Sequence, residues 1–159
     1  MEKRTGERRK VKTDYKRRNF NRREGVFYYE RRAYLTDTNL YGNVYYAQYF
    51  DFIGEAREEF FKFLIGENYE AFMTLKLAMA TVDASIKYKN EILLYDEIRI
   101  EVSIDEATRA KCYFDFKIFN AKTGKPHAFA KMTVGFTKDK KAIPIPDAFV
   151  HAAKTLNMI

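Results

Sequence analysis

The chain has one cysteine, no tryptophan, two histidines, three prolines and seven glycines among 159 residues. A lone Cys112 forbids an internal disulfide framework and any multi-cysteine zinc site, and His127 and His151 add too few ligands for a His/Cys metal cluster. Neither a metal nor a cofactor is expected. Cysteine this sparse suits a reducing compartment, so a cytoplasmic location is the expectation. The scarcity of proline and glycine excludes collagen-like and low-complexity character. No apolar run approaches the roughly 18 residues that span a bilayer. The basic N-terminus is not followed by a hydrophobic segment, so a secretory signal is not expected. What the chain does have is aromatic residues, fourteen Phe and twelve Tyr, within a composition 47% apolar and 32% charged. That composition buries a core, and the length suits one domain.

The net charge of +7 is unevenly placed. Residues 1–24 hold eleven Lys/Arg against four Asp/Glu, and residues 25–159 hold eighteen of each sign. Runs such as Arg8-Arg9-Lys10 and Lys16-Arg17-Arg18 are too polar to bury, so residues 1–24 read as a basic, mobile arm and 25–159 as a single domain. The arm is either a solvated extension or a contact for nucleic acid, an anionic membrane or an acidic protein. Charge alone does not choose among these.

Four segments alternate with period two. Val82, Ala84, Ile86 and Tyr88 interleave with Thr81, Asp83, Ser85 and Lys87; Ile98 to Ile104, Cys112 to Ile118 and Ala128 to Phe136 alternate likewise. Each pattern predicts a strand with one buried face. Short connections, such as the turn Ala121 to Pro126, make the four an antiparallel meander. Residues 26–36 read as a further strand. Between it and the meander, Tyr49, Ile53, Ala56, Phe60 and Phe63 recur three or four apart, with Phe52 and Leu64 widening the stripe, which predicts a buried helix stopping at Gly66. A short helix near 147–157 follows Pro144 and Pro146. The expectation is an α+β domain whose curved antiparallel sheet wraps one long central helix.

The most distinctive stretch runs from Tyr34 to Phe50, joining the first strand to the helix. Gly42 permits backbone conformations closed to other residues, and Asn43 can cap the turns into the helix. Polar side chains beside the amides of Gly42, Asn43 and Val44 at a helix start suit a carbonyl that becomes a tetrahedral oxyanion.

This stretch resembles the hot-dog thioesterases of the 4-hydroxybenzoyl-CoA thioesterase type, whose pattern is roughly Asp-x-Asp-x-x-Gly-x-Val-x-x-x-x-Tyr followed by a helical Ala-Arg. Here it reads Asp37-Thr38-Asn39-Leu40-Tyr41-Gly42-Asn43-Val44 through Tyr49 to Ala56-Arg57. The second Asp, the family's usual catalytic carboxylate, is Asn39, which cannot serve as a nucleophile or general base. The wording Thr-Asn-x-x-Gly-Asn-Val-Tyr-Tyr is most similar to the branch that releases polyketide chains, often β-keto acids, from acyl carrier protein in enediyne biosynthesis. That branch uses an Asn, a Tyr and an Arg, matching Asn39, Tyr49 and Arg57. The resemblance implies a hot-dog fold, thioester hydrolysis on acyl carrier protein or CoA, and a homodimer or homotetramer.

Each residue has a second reading. Asn39 either holds the thioester carbonyl or water, or serves as an Asx-turn residue. Tyr49 either presents its hydroxyl to substrate or packs on the helix stripe. Arg57 either binds a carboxylate, an enolate-like oxygen or a pantetheine phosphate, or pairs with Glu55 or Glu58. Asp37 reads as a loop anchor, while Asp51, Glu55 and Glu58 are solvated helix charges or alternative bases. His127 and His151 receive no catalytic role, and Cys112 reads as a small buried hydrophobe. Two other functions compete: a housekeeping acyl-CoA thioesterase using a helix Glu, and a non-catalytic hot-dog that binds acyl chains and tethers through its basic arm.

Overall fold

The computed structural model describes residues 19–159. The expectation of a mobile arm over 1–24 therefore lies mostly outside the described residues. Of that stretch, Phe20–Asn21 forms a short strand, β1, pairing with β2, Val26–Arg32. The turn between them is held by Asn21, whose Oδ1 accepts the N–H groups of Arg23 and Glu24 at 3.1 and 3.4 Å. Gly25 closes the hairpin at φ +61°, where a β-carbon would lie 2.5 Å from the Asn157 carbonyl oxygen. Only glycine fits so close an approach.

After β2 the chain makes a 3-10 turn at Leu35–Asp37 and enters the long helix α1, Gln48–Ile65, which ends at Gly66. A short helix α2, Tyr69–Thr74, leads to β3, Leu77–Tyr88. The strands β4 (Glu97–Ala107), β5 (Lys111–Asn120), β6 (Pro126–Lys138) and β7 (Lys141–Ile143) follow, and α3, Asp147–Thr155, closes the fold. Asn120 shapes the β5–β6 turn by accepting the Lys122 and Thr123 N–H groups at 3.0 Å.

The sheet runs β1-β2-β4-β5-β6-β3, with β7 also on β6. The strand order corrects the expected four-strand meander. β4, β5 and β6 are sequential neighbours, but β3 crosses over to pair with β6 and becomes the edge, while β4 pairs with β2. Period-two patterns identify strands and their faces, and carry no information about which strand lies alongside which.

A second correction falls inside β3. Its register to β6 shifts between Thr81 and Asp83, so a bulge at Val82 reverses the alternation. Val82 is 56% exposed. Thr81, although exposed, takes the side of the strand that faces Met132, its Oγ1 3.9 Å from the Met132 sulfur. One extra residue in a strand moves every preceding side chain to the other face.

The core lies between the curved sheet and α1. Phe52, Ile53, Ala56 and Phe60 from α1 are fully buried, as are Ile98, Ile100, Val102, Cys112 and Ile118 from the sheet. The phenylalanine load has a structural use, since Phe27–Phe60, Phe60–Phe114 and Phe136–Phe149 pack with centroids 5.8, 5.7 and 5.2 Å apart. Burial pushes the Cys112 thiol up to about 12, as suits a packed hydrophobe. Among the described residues, no helix is long and apolar enough to cross a membrane.

Candidate active site

Asn39 opens a tight turn. The Gly42 N–H donates to the Asn39 carbonyl at 3.0 Å, with Gly42 at φ +79°, a conformation that L side chains rarely adopt. Asn39 Oδ1 accepts the Tyr41 N–H at 2.9 Å, forming an Asx turn. This turn pins the side chain and occupies its oxygen. The two Nδ2 hydrogens, which have no partner among the described residues, are what Asn39 offers to a ligand.

The loop is stitched to the β3–β4 connection. Val44 N–H donates to the Ile92 carbonyl at 2.8 Å and Leu94 N–H to the Gly42 carbonyl at 2.9 Å, while Tyr45 N–H reaches the Asp37 carbonyl at 3.0 Å. These bonds alter the expected oxyanion site. Gly42 and Val44 have already committed their N–H groups to backbone carbonyls, and α1 begins at Gln48 instead of at this turn. Of the three expected amides, only that of Asn43 lacks a backbone partner among the described residues.

Asn39, Asn43 and Val44 line a cleft of about 390 Å³ together with Tyr45, Tyr46, Tyr49, Tyr88, Lys89, Asn90 and Glu91. Tyr49 is 3% exposed, and its ring meets that of Tyr88 edge-on. Burial raises the Tyr49 phenol above its ordinary range, a backbone contact from Ile92 partly opposes this, and Tyr88 and Glu91 raise it further. Tyr49 therefore stays protonated and can donate a hydrogen bond at neutral pH.

Arg57 lies elsewhere. Its Nη1 donates to Thr81 Oγ1 at 2.7 Å and lies 3.4 Å from the Met132 sulfur, and its Nε is buried without a partner among the described residues. It does not line the Asn39 cleft, and no ion pair joins it to Glu55 or Glu58 among the described residues. The ion-pair reading of Arg57 thus has no partner among the described residues, and the contact with Thr81 was hidden from the sequence because a bulge at Val82 is invisible to periodicity.

The acidic candidates gather around a separate hollow of about 440 Å³, lined by Arg31, Asp37, Asp51, Glu55 and Glu58 among others. Asp37 is buried, with its Oδ2 2.7 Å from Arg31 Nη2 and 2.8 Å from the Tyr34 N–H, so it anchors the loop. Glu55 accepts from Arg31 Nη1 at 2.9 Å and from the Tyr29 hydroxyl at 2.9 Å. The Arg31 guanidinium also lies 4.0 Å from the centre of the Phe52 ring. Asp37 and Glu55 thus share one cation, Arg31, and Glu58 faces solvent.

Sequence reasoning passed over the segment Tyr88 to Glu91, which supplies one wall of the Asn39 cleft. Its only signal was a polar run, Lys87-Tyr88-Lys89-Asn90-Glu91, directly after a strand.

Comparison with known proteins gives this geometry a family. Residues 34–153 match the thioesterase-like superfamily. The chain is 27% identical over 124 residues to a 1,4-dihydroxy-2-naphthoyl-CoA hydrolase of Microcystis aeruginosa, covering 77% of this chain and 89% of that protein. It is similar to the crystal structure of a 1,4-dihydroxy-2-naphthoyl-CoA thioesterase from Synechocystis, with a TM-score of 0.73, 25% identity and coverage of 83% of this chain and 98% of that one. The dynemicin thioesterase, described in complexes with polyene, shares the fold at a TM-score of 0.74 and 23% identity, over 82% of this chain and 96% of its own. A match running from the loop before Asn39 into α3, together with the sheet wrapped on α1, establishes that the chain belongs to the thioesterase-like superfamily, as a thioester hydrolase of hot-dog fold.

Proposed function

We propose that the chain hydrolyses a thioester of CoA or of an acyl carrier protein whose acyl chain carries a β-keto or conjugated group, in the cleft lined by Asn39 and Tyr49. The observation that carries this reading is that the motif Asn and the motif Tyr, ten residues apart in sequence, line one cleft in a chain lacking the family's usual Asp. In this reading the Asn39 Nδ2 hydrogens and the Tyr49 hydroxyl donate to the thioester carbonyl oxygen as it becomes an oxyanion. The rings of Tyr45, Tyr46 and Tyr88 favour a flat, unsaturated acyl group over a saturated chain. The naphthoyl-CoA hydrolase relative supports a CoA thioester with a conjugated acyl group.

Arg57 supports the site at one remove, by holding Thr81 and hence the β3 edge that carries Tyr88. The β3 strand is twelve residues long and, among the described residues, pairs on one side only, so a second copy of the chain covers it in a homodimer or homotetramer. The helix-carboxylate reading has less support, because Glu55 is tied to Arg31 and Tyr29.

The test is thiol release from a panel of acyl-CoA thioesters and a β-keto acyl-pantetheine, comparing wild type with Asn39→Ala. The expected result is fastest turnover on a conjugated or β-keto acyl group and a fall of about 10²-fold in kcat for the variant, the scale of one lost oxyanion donor. Turnover untouched by Asn39→Ala would place the chemistry elsewhere.

A further inference from the structure

We infer that Glu91 is the general base of this enzyme, supplying from the β3–β4 connection the carboxylate that Asn39 cannot provide. The inference rests on the proposal that the Asn39 cleft is the hydrolytic site. Of the described residues lining that cleft, Glu91 is the sole carboxylate. It is also oriented, since Asn43 Nδ2 donates to Glu91 Oε1 at 3.1 Å. One carboxylate oxygen is thereby held and the other is left to take a proton. Glu91 acts on Tyr49 as a nearby negative charge, which places it within electrostatic reach of the group that faces the carbonyl.

The segment bearing Glu91 is fixed, although its side chain reaches solvent. Lys89 and Asn90 both donate their N–H groups to the His127 carbonyl, at 2.8 and 3.1 Å. Asn90 Nδ2 donates to the Pro126 carbonyl at 2.7 Å, and His127 Nδ1 lies 3.2 Å from the Asn90 carbonyl. A carbonyl only accepts, so Nδ1 carries the imidazole proton. His127 is 2% exposed, which makes it a buried clamp on the loop. On the other flank, the Ile92 carbonyl accepts the Val44 N–H. A base gripped on both sides, with Asn43 as its positioning residue, has the preorganisation that proton transfer needs.

The reaction balances without further components. Glu91 takes one proton from water as the water oxygen bonds to the thioester carbonyl carbon, and the oxyanion forms against Asn39 and Tyr49. Collapse of the tetrahedral species breaks the C–S bond. The departing sulfur takes the proton from Glu91, leaving a free thiol, the acid and a regenerated carboxylate.

The experiment measures kcat/KM against pH for wild type, Glu91→Gln, Glu91→Asp, Asn43→Ala and Asn39→Ala, on the best thioester of the panel, with thermal unfolding as a fold control. Wild type should lose activity towards acid with unit slope as the base is protonated. Glu91→Gln should fall about 10²–10³-fold, within the range for a lost general base, and its acid limb should flatten. Glu91→Asp should recover part of the rate and the limb, and Asn43→Ala should lose rate but keep the limb. A Glu91→Gln enzyme within threefold of wild type, or one that is slower with its acid limb unchanged, overturns the inference. If Asn39→Ala is crippled while Glu91→Gln is not, the cleft stands and the base falls. A wild-type chain that cleaves no thioester sinks both.

Discussion

Tyr88 stands edge-on to Tyr49, their ring centroids 5.0 Å apart and their planes at 87°, and its hydroxyl donates to the Tyr46 carbonyl at 2.9 Å. Tyr49 comes from the first turn of α1 and Tyr88 from the last residue of β3. The cleft is therefore a seam between helix start and sheet edge, closed by two aromatic rings and one hydrogen bond.

This arrangement separates the roles of the two tyrosines. Tyr88→Ala should raise KM about tenfold, because an aromatic wall of the acyl site is gone, with a smaller effect on kcat. Tyr88→Phe keeps the ring and should cost only the bond to Tyr46, about 1 kcal/mol of stability. Tyr49→Phe should do the reverse of Tyr88→Ala, lowering kcat with KM nearly unchanged. Steady-state kinetics and denaturant unfolding of the three variants check the division.

The Arg31 network predicts a stability effect at some distance from the chemistry. The Arg31 and Asp37 side chains are 14% and 10% exposed, and Asp37 also caps the Tyr34 N–H. Asp37→Ala leaves a half-buried guanidinium with Glu55 as its remaining carboxylate partner and unpins the loop leading to Asn39. The expected loss is about 3 kcal/mol in chemical denaturation, the scale for breaking a buried pair. Glu55→Gln should keep turnover within twofold of wild type, and a large fall there would favour the helix-carboxylate mechanism instead.

How far the sequence disclosed this enzyme depends on the kind of information each element carries. The α1 stripe, the Gly66 stop and the four strands were legible because burial imprints a local period on the chain. That Asn39 and Tyr49 come to line one cleft was foreshadowed by the spacing of the loop motif, which sets the turn at Gly42 between them. The position of β3 beside β6 was not, since strand order depends on where a crossover lands. The side of β3 on which Thr81 lies, and with it the partner of Arg57, depended on one bulged residue at Val82. Glu91 was overlooked for a different reason. A glutamate in a polar loop looks like any solvated charge until the fold lays Asn43 against it.

A buried thiol and a partly buried phenol contribute to the behaviour at high pH. Burial lifts the Cys112 thiol from an ordinary value near 9 to about 12. Burial, and then the hydrogen bond to Glu55, lift the Tyr29 phenol from 10 to about 12. Both folded values lie above the unfolded ones, so the native state retains protons that the unfolded chain releases. Their contribution is complete below about pH 9 and declines as pH rises towards 12. Unfolding free energy should fall across that window in wild type. The Cys112→Val variant should show a shallower fall beginning nearer pH 10, where Tyr29 takes over. An unchanged slope in that variant would show that the thiol titrates normally.

The open edge of β3 gives the prediction most easily decided. A strand of twelve residues that, among the described residues, has no partner along one side invites pairing with another chain, and its exposed surface includes Val82 and the ring of Tyr88. If a second copy of the chain occupies this edge, light scattering should report a dimer or tetramer at micromolar concentration. Val82→Lys then sets a charge at the bulge, where it repels its like in a symmetric pair, and the mass should shift towards monomer. Because Tyr88 belongs both to this edge and to the cleft, the same substitution should weaken turnover, and activity should recover as protein concentration is raised. A monomeric wild-type enzyme with full activity would instead mean that the cleft of a single chain is complete.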